Sequence, residues 1–329
     1  MASGVAPAHD VPSFQAALDS GAFTVTAEIG PPRSADAAEV ARKLQALRGW
    51  VTAVNITDNQ SAVVRLSSFA GSLLALASGA TPIMQLTCRD RNRIALQSEL
   101  LAAGAMGIPN ILVMTGDHPR FGDHPEAKPV FDLDSVQLLW VARTMRDEHR
   151  LLSGRLLDRP PSWFLGAVEN PFAPPVGFRA ARLGKKIAAG AQFVQTQYVF
   201  DIGAFARWMA QVRDLGLDER CHILAGVGPV VSARALTHLQ RKVPGVHVPD
   251  EISRRLLGAS ASRIAEEGLG LCAETISALR HIPGVAGVHL MAVGNEHLIP
   301  EILQRAGMAG EQVTGSVAGA GGREASSAR

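Results

Sequence analysis

Short apolar, β-branched runs recur along the chain at Phe23–Ile29, Val51–Thr57, Pro82–Thr87, Asn110–Met114, Trp163–Val168, Phe193–Val199, His222–Val227 and Val285–Ala292. Between them apolar residues return every three or four positions, the spacing of amphipathic helices. These stretches are Ala37–Arg48, Val64–Ser78, Arg91–Ala103, Ser135–Arg150, Gly177–Ala189, Ile202–Leu215 and Ala233–Val243. Two further helical stretches, Ile252–Leu257 and Ala261–His281, precede the eighth run, and His297–Ala306 follows it. Strands that stay apolar along their length belong to a parallel sheet covered on both faces. Eight strand–helix units in about 300 residues predict an α/β fold, a single (β/α)8 TIM barrel with an extra helix before the eighth strand. A dinucleotide-binding sheet is set aside, because the nearest glycine motif, Gly226–Pro229, lacks the third glycine of GxGxxG.

The barrel is expected over residues 13–309 as one catalytic domain. The small, polar stretch 1–12 reads as a flexible N-terminus, and the Gly/Ala/Ser-rich stretch 310–329 as a disordered tail. The uncharged stretch Leu66–Cys88 is interrupted by serines, Gly79 and Pro82, so it reads as a helix followed by a buried strand, not as a membrane span.

Composition narrows the partners. Lys+Arg at 32 against Asp+Glu at 30 leaves a net charge of +2, which gives no electrostatic argument for nucleic acid or an anionic membrane. Aromatic residues make up only 5%, too few for a base-stacking surface. Cys88, Cys221 and Cys272 form no CxxC pair and no zinc pattern, and residues 1–14 lack the features of a secretory signal. A reducing cytoplasm is the expected location.

In a barrel of this kind the chemistry sits where the strands end. Those ends carry Glu28, then Thr57-Asp58-Asn59-Gln60, Gln85 and Thr87, Thr115-Gly116-Asp117-His118, Glu169-Asn170, Gln195-Thr196-Gln197, Gly226–Pro229 and Gly294-Asn295-Glu296. A carboxyl group at the position of Glu28 faces the barrel mouth, where a general acid would stand. Asp117 opens a loop of about fifteen residues, a length typical of binding loops. His118 and His124 lie in that loop without a third ligand at fitting spacing, so no metal site is expected. Asp132 and Asp134 read as residues that turn the chain and cap the next helix. Gln195 and Gln197 alternate, and so should share one face of their strand, where amides can meet a heterocycle edge. Lys185 and Lys186 close a helix, as a solvated end or as a phosphate contact. The five lysines include none at a strand end, which disfavours Schiff-base chemistry.

In order and spacing, Glu28-x-x-Pro31-Pro32-Arg33, Gln85-Leu86-Thr87-Cys88, Thr115-Gly116-Asp117, Gly190-Ala191 and Thr196-Gln197-Tyr198-Val199-Phe200-Asp201 resemble the methylenetetrahydrofolate reductase family. The resemblance runs from about Phe23 to Gly307. The loop GDHPEAKPVFDLDS and the segment VPGVHVPDE resemble the branch found in acetogen and corrinoid pathways.

The resemblance implies a flavin-dependent oxidoreductase that interconverts 5,10-methylenetetrahydrofolate and 5-methyltetrahydrofolate, with the oxidative direction, in methyl-group catabolism, as an alternative to the reductive one. It implies Glu28 as general acid, Asp117 beside flavin and pterin, and Gln197 on the pterin. Thr57, Gln85, Met114, Thr115, Gly116, Asp117, Phe131, Val168, Lys185 and Lys186 fall on cofactor positions. The cofactor would be FAD, with FMN as the alternative, and NADH or NADPH would be the electron donor. A homo-oligomer is expected, with an electron-donor or corrinoid-pathway protein as a further partner. Some positions depart from the family. Gln85 stands for a histidine and Val168 for an aromatic. Arg179 and Arg182 stand where an acidic residue and an amide hold the cofactor's ribose and adenine portion. Ala233 replaces a phenylalanine and Asn295 an arginine. The rival readings are a pterin-binding methyltransferase barrel and a reductase subunit fed by a partner protein.

Overall fold

The computed structural model describes residues 13–243, 245–260 and 263–308. The two expected terminal stretches, 1–12 and 310–329, lie outside the described residues. Strands β1 (Thr24–Ile29), β2 (Ala53–Ile56), β3 (Pro82–Thr87), β4 (Asn110–Met114), β5 (Phe164–Glu169), β6 (Phe193–Tyr198), β7 (His222–Val227) and β8 (Val285–Leu290) close into a barrel in chain order. Every neighbouring pair is parallel, including β1 with β8. The predicted fold is the observed one.

Helix α1 (Phe14–Asp19) precedes the barrel. The connections then carry α2 (Ala37–Leu47), α3 (Ser68–Ala77), α4 (Arg93–Ala105), α5 (Ser135–Asp147), α6 (Arg179–Ala189) and α7 (Ile202–Asp214). Among the described residues three helices, α8 (Ala233–Lys242), α9 (Asp250–Gly258) and α10 (Ile264–Leu279), lie between β7 and β8, and α11 (Ile299–Arg305) closes the described chain. The uncharged Leu66–Cys88 stretch divides into α3 and β3, and among the described residues no helix is long and apolar enough to cross a membrane.

The two-residue period of the strands sorts their side chains into two populations. Val25, Ala27 and Ile29 of β1, Val54 and Ile56 of β2, and Met84 and Leu86 of β3 pack outward in one core with Val40 and Leu44 of α2 and Leu96 and Leu100 of α4. The alternate positions, Ala53, Ile83, Leu112, Phe164, Phe193 and Leu224, form a second cluster inside the barrel with Phe14 and Leu18 of α1. The Phe14 ring meets Phe164 at 5.7 Å and Phe193 at 5.1 Å, both edge-on, so α1 plugs the N-terminal end. A Cβ on Gly166 would sit 2.2 Å from the Phe193 ring, so the glycine makes room for that aromatic.

Most element ends shift by one to four residues from the sequence expectation, two helix starts among them, and one helix is new. Helix α3 begins at Ser68 rather than Val64, because Ser67 caps it while Asn59, Ser61 and Ala62 take left-handed backbone upstream. Helix α4 begins at Arg93 after its cap Asn92. Helix α1 was not anticipated; its capping serine, Ser13, is its one clear start signal.

Candidate active site

Above the apolar floor the inward-facing positions become polar. Asn55 and Gln195 exchange two amide hydrogen bonds, at 2.6 and 3.0 Å, and Gln195 Nε2 also donates to Thr26 Oγ1 at 3.1 Å. Thr26 Oγ1 lies 3.0 Å from His289 Nδ1, and the other ring nitrogen, Nε2, lies 3.7 Å from Glu28 Oε2. All five residues are buried. Burial of so many polar groups is tolerated only because they satisfy one another, and their geometry is correspondingly fixed.

Glu28 completes this layer toward the mouth. Gln60 Nε2 donates to Oε1 at 3.2 Å and Gln85 Nε2 to Oε2 at 2.9 Å. Gln60 reaches inward from the left-handed turn after β2, and Gln85 from the middle of β3. The carboxyl group is therefore held from both sides and backed by an imidazole. Burial raises the Tyr198 phenol above its usual range, and the negative charge of Glu28 adds to the effect. Tyr198 stays a hydroxyl and donates to Met291 O at 2.8 Å.

A second network shapes the rim. Asp58, 1% exposed, accepts from Thr87 N and Oγ1 and from both terminal nitrogens of Arg91, at 2.8 and 3.2 Å. Burial works against the Arg91 charge, but the hydrogen bond and charge of Asp58 outweigh it and hold the guanidinium above its ordinary range. The neighbouring Arg89 donates to the backbone carbonyl of Asp117 at 3.4 Å. Asp117 is exposed at the head of its loop, next to Gly116 with φ +88°, where a Cβ would press on Thr87 at 3.0 Å.

The remaining predicted positions are distributed around the mouth. Met114 and Val168 are half-buried and pack on the inner cluster. Thr115 Oγ1 accepts from Ser135 N at 3.3 Å. Phe131 has φ 40° and its ring lies 6.3 Å from that of His118. Asp134 caps α5 in a reciprocal box with Gln137, whereas Asp132 instead accepts from Arg93 at the start of α4. His118 Nδ1 accepts from Arg120 N in a 3-10 turn, and among the described residues no cluster could hold a metal. A bulge between Gln195 and Tyr198 interrupts the expected alternation on β6. Gln195 is thus locked in the barrel, while Gln197 is half-buried and accepts from Tyr198 N at 3.0 Å. Sequence reasoning missed Thr26, Asn55 and His289, single polar residues set inside apolar runs.

The positions expected to hold a flavin differ in how far their polar groups are already satisfied. At the barrel end, Thr57 Oγ1 is buried without a hydrogen-bond partner, and Gly116 turns the chain through the left-handed region. On α6 the cations are already engaged. Lys186 Nζ donates to Val168 O and to Glu169 Oε2, and Arg182 to Glu169 Oε1 and Asn170 O. Arg179 holds the carbonyls of Phe172 and Ala173, and Lys185 lies 4.9 Å from the centre of the Phe178 ring.

The chain is 25% identical over 252 residues to a probable methylenetetrahydrofolate reductase (NADPH) of Caenorhabditis elegans, covering 76% of this chain and 36% of that protein. It is 25% identical over 253 residues to methylenetetrahydrofolate reductase 2 of Saccharomyces cerevisiae, covering 73% and 39%. The chain thus spans less than two-fifths of the length of these curated relatives. Its fold is shared with an uncharacterized Clostridium thermocellum protein that binds two copies of 5-methyl-5,6,7,8-tetrahydrofolic acid, at TM-score 0.63 and 11% identity over 87% of this chain and 96% of that one. It is also shared with an F420-dependent secondary alcohol dehydrogenase, at TM-score 0.55 and 12% identity over 87% and 98%. Residues 13–307 match the family described as methylenetetrahydrofolate reductase, and the chain belongs to that family.

Proposed function

We propose that this chain interconverts 5,10-methylenetetrahydrofolate and 5-methyltetrahydrofolate, with NADH or NADPH as the source of reducing equivalents. The observation that carries the reading is Glu28, clamped by Gln60 and Gln85 at the barrel mouth and backed by His289. Reduction of the methylene carbon requires the five-membered ring to open to an iminium. That opening needs a proton on a ring nitrogen, and the iminium then accepts hydride.

Glu28 supplies the proton. The two amides fix its orientation, so its proton is presented in one direction. His289 stands behind it as the group that reprotonates it, and Thr26 Oγ1 on the far side of the imidazole fixes the ring. The Asn55–Gln195 pair holds Thr26 in turn. In the oxidative direction the same chain carries the proton away. Asp117, its backbone steadied by Arg89, contributes negative charge that favours the cationic iminium. Gln197, beyond the β6 bulge, contacts the pterin.

A bound flavin would supply reversible hydride storage between nicotinamide and folate, held at the barrel end by Thr57, Gly116 and the apolar surface of Val168. The folate ligand of the structurally similar Clostridium thermocellum protein and the reductase names of the curated relatives support the same substrate class. The test is anaerobic and spectroscopic. Protein supplied with flavin should bleach on addition of NADH or NADPH and recover its colour on addition of methylenetetrahydrofolate. Bleaching without recovery would remove the folate from the proposal.

A further inference from the structure

The β5–α6 corner contains a buried carboxylate that the proposed chemistry does not use. Glu169 ends β5 with no side-chain exposure, and its two oxygens are divided between two cations one turn apart on α6. Oε1 accepts from Arg182 Nε at 2.8 Å, and Oε2 accepts from Lys186 Nζ at 2.9 Å. Each cation spends a further donor on a backbone carbonyl next to Glu169, Asn170 O for Arg182 and Val168 O for Lys186. Arg179, three residues before Arg182, adds two more such bonds, to Phe172 O and Ala173 O.

Residues 179, 182 and 186 lie on one face of α6, the arrangement a helix would use to grip an anion. Here the face closes on the protein's own loop. A phosphate approaching it would have to displace a buried carboxylate that carries the same charge and already has two partners. Expelling that carboxylate unpaired is costly, so the exchange gains little.

We propose that Glu169 is an internal substitute for a phosphate, closing the anion site of α6 so that this chain holds a flavin by its ring end alone. The inference rests on the flavin reading above for its ligand, but the closed site is a property of the chain itself. Riboflavin, FMN and FAD should then bind with similar affinity, because phosphate adds no contact. A working clamp of two charge-assisted hydrogen bonds would instead favour the phosphorylated flavins by about tenfold or more.

Two titrations test this, each on wild type and Glu169→Gln. The substitution keeps the shape and removes the charge, leaving Arg182 and Lys186 their carbonyl partners. In the first, flavin fluorescence quenching should give wild-type dissociation constants for riboflavin, FMN and FAD within about threefold of one another, and Glu169→Gln should gain about tenfold for FMN and FAD only. In the second, calorimetry with inorganic pyrophosphate should show no binding to wild type and salt-sensitive binding to the variant.

Wild type that binds FMN at least tenfold more tightly than riboflavin, or that binds pyrophosphate as the variant does, overturns the proposal. If no flavin binds either protein, the flavin reading fails, while the pyrophosphate titration still decides whether Glu169 closes the site. Should the variant not fold, the wild-type titrations decide the matter alone.

Discussion

Replacing Glu28 with glutamine separates chemistry from structure at the centre of the site. The carboxylate accepts one hydrogen bond on each oxygen, from Gln60 at 3.2 Å and from Gln85 at 2.9 Å. A glutamine offers one acceptor and one donor, so its amide nitrogen must confront one of these two amides. A buried donor stripped of its acceptor costs about 1–3 kcal/mol. Gln85 is 4% exposed and has no alternative, whereas Gln60 is half-buried and can turn toward water. The glutamine oxygen should therefore face Gln85, which places the loss near 1 kcal/mol. A domain of ordinary stability, about 5–15 kcal/mol, survives that. Loss of the proton donor should meanwhile lower folate turnover by about 100-fold to 10,000-fold. The assay pairs a urea melt with anaerobic single-turnover kinetics of the folate step. Turnover within tenfold of wild type in folded Glu28→Gln would refute the assignment of the proton to this residue.

Other parts of the structure make separate predictions. Thr57→Val keeps the shape of a side chain whose hydroxyl is buried without a partner, so it should raise stability by about 1 kcal/mol in a urea melt while weakening flavin binding; lowered stability would mean that the hydroxyl is satisfied in the free protein. Gly166→Ala drives a methyl to 2.2 Å from the Phe193 ring and should cost about 1–3 kcal/mol, and Phe193→Leu in the same chain should restore part of it. Phe14→Ala should cost about 3–5 kcal/mol by unplugging the barrel floor, which a thermal melt would show as an early transition. Burial pushes the Cys88, Cys221 and Cys272 thiols up to about 12, so none should react with a disulfide reagent at pH 8 before unfolding. Because these folded values lie above the unfolded thiol value of about 8.5, their contribution to stability is complete below that pH and declines as pH rises toward 12. Urea midpoints at pH 8 and pH 10 measure the decline.

The barrel was legible because its strands are apolar on both faces and its helices are not, a contrast that survives in a single sequence. The strand ends were legible for the same reason, since polar residues there interrupt apolar runs. Glu28 and Asp117 stand out in this way. Thr26, Asn55 and His289 did not, because each sits inside an apolar run and its role depends on a partner far along the chain. Thr26 and His289 are neighbours only because β8 closes on β1, a pairing that no local pattern records. The internal pairing of Lys186 was equally hidden. Two consecutive lysines on a helix look the same whether they face a phosphate or a buried glutamate that ends the preceding strand. Helix α1 escaped notice because six residues are too few to show a helical period.

The proposed reaction is tested most directly by its product. Purified protein should be incubated anaerobically with methylenetetrahydrofolate, NADH or NADPH, and added flavin, and the folates followed by mass spectrometry. The proposed reaction predicts 5-methyltetrahydrofolate that accumulates in proportion to protein and is lost in Glu28→Gln. Folded protein that yields no 5-methyltetrahydrofolate with either nicotinamide, with or without flavin, would contradict it.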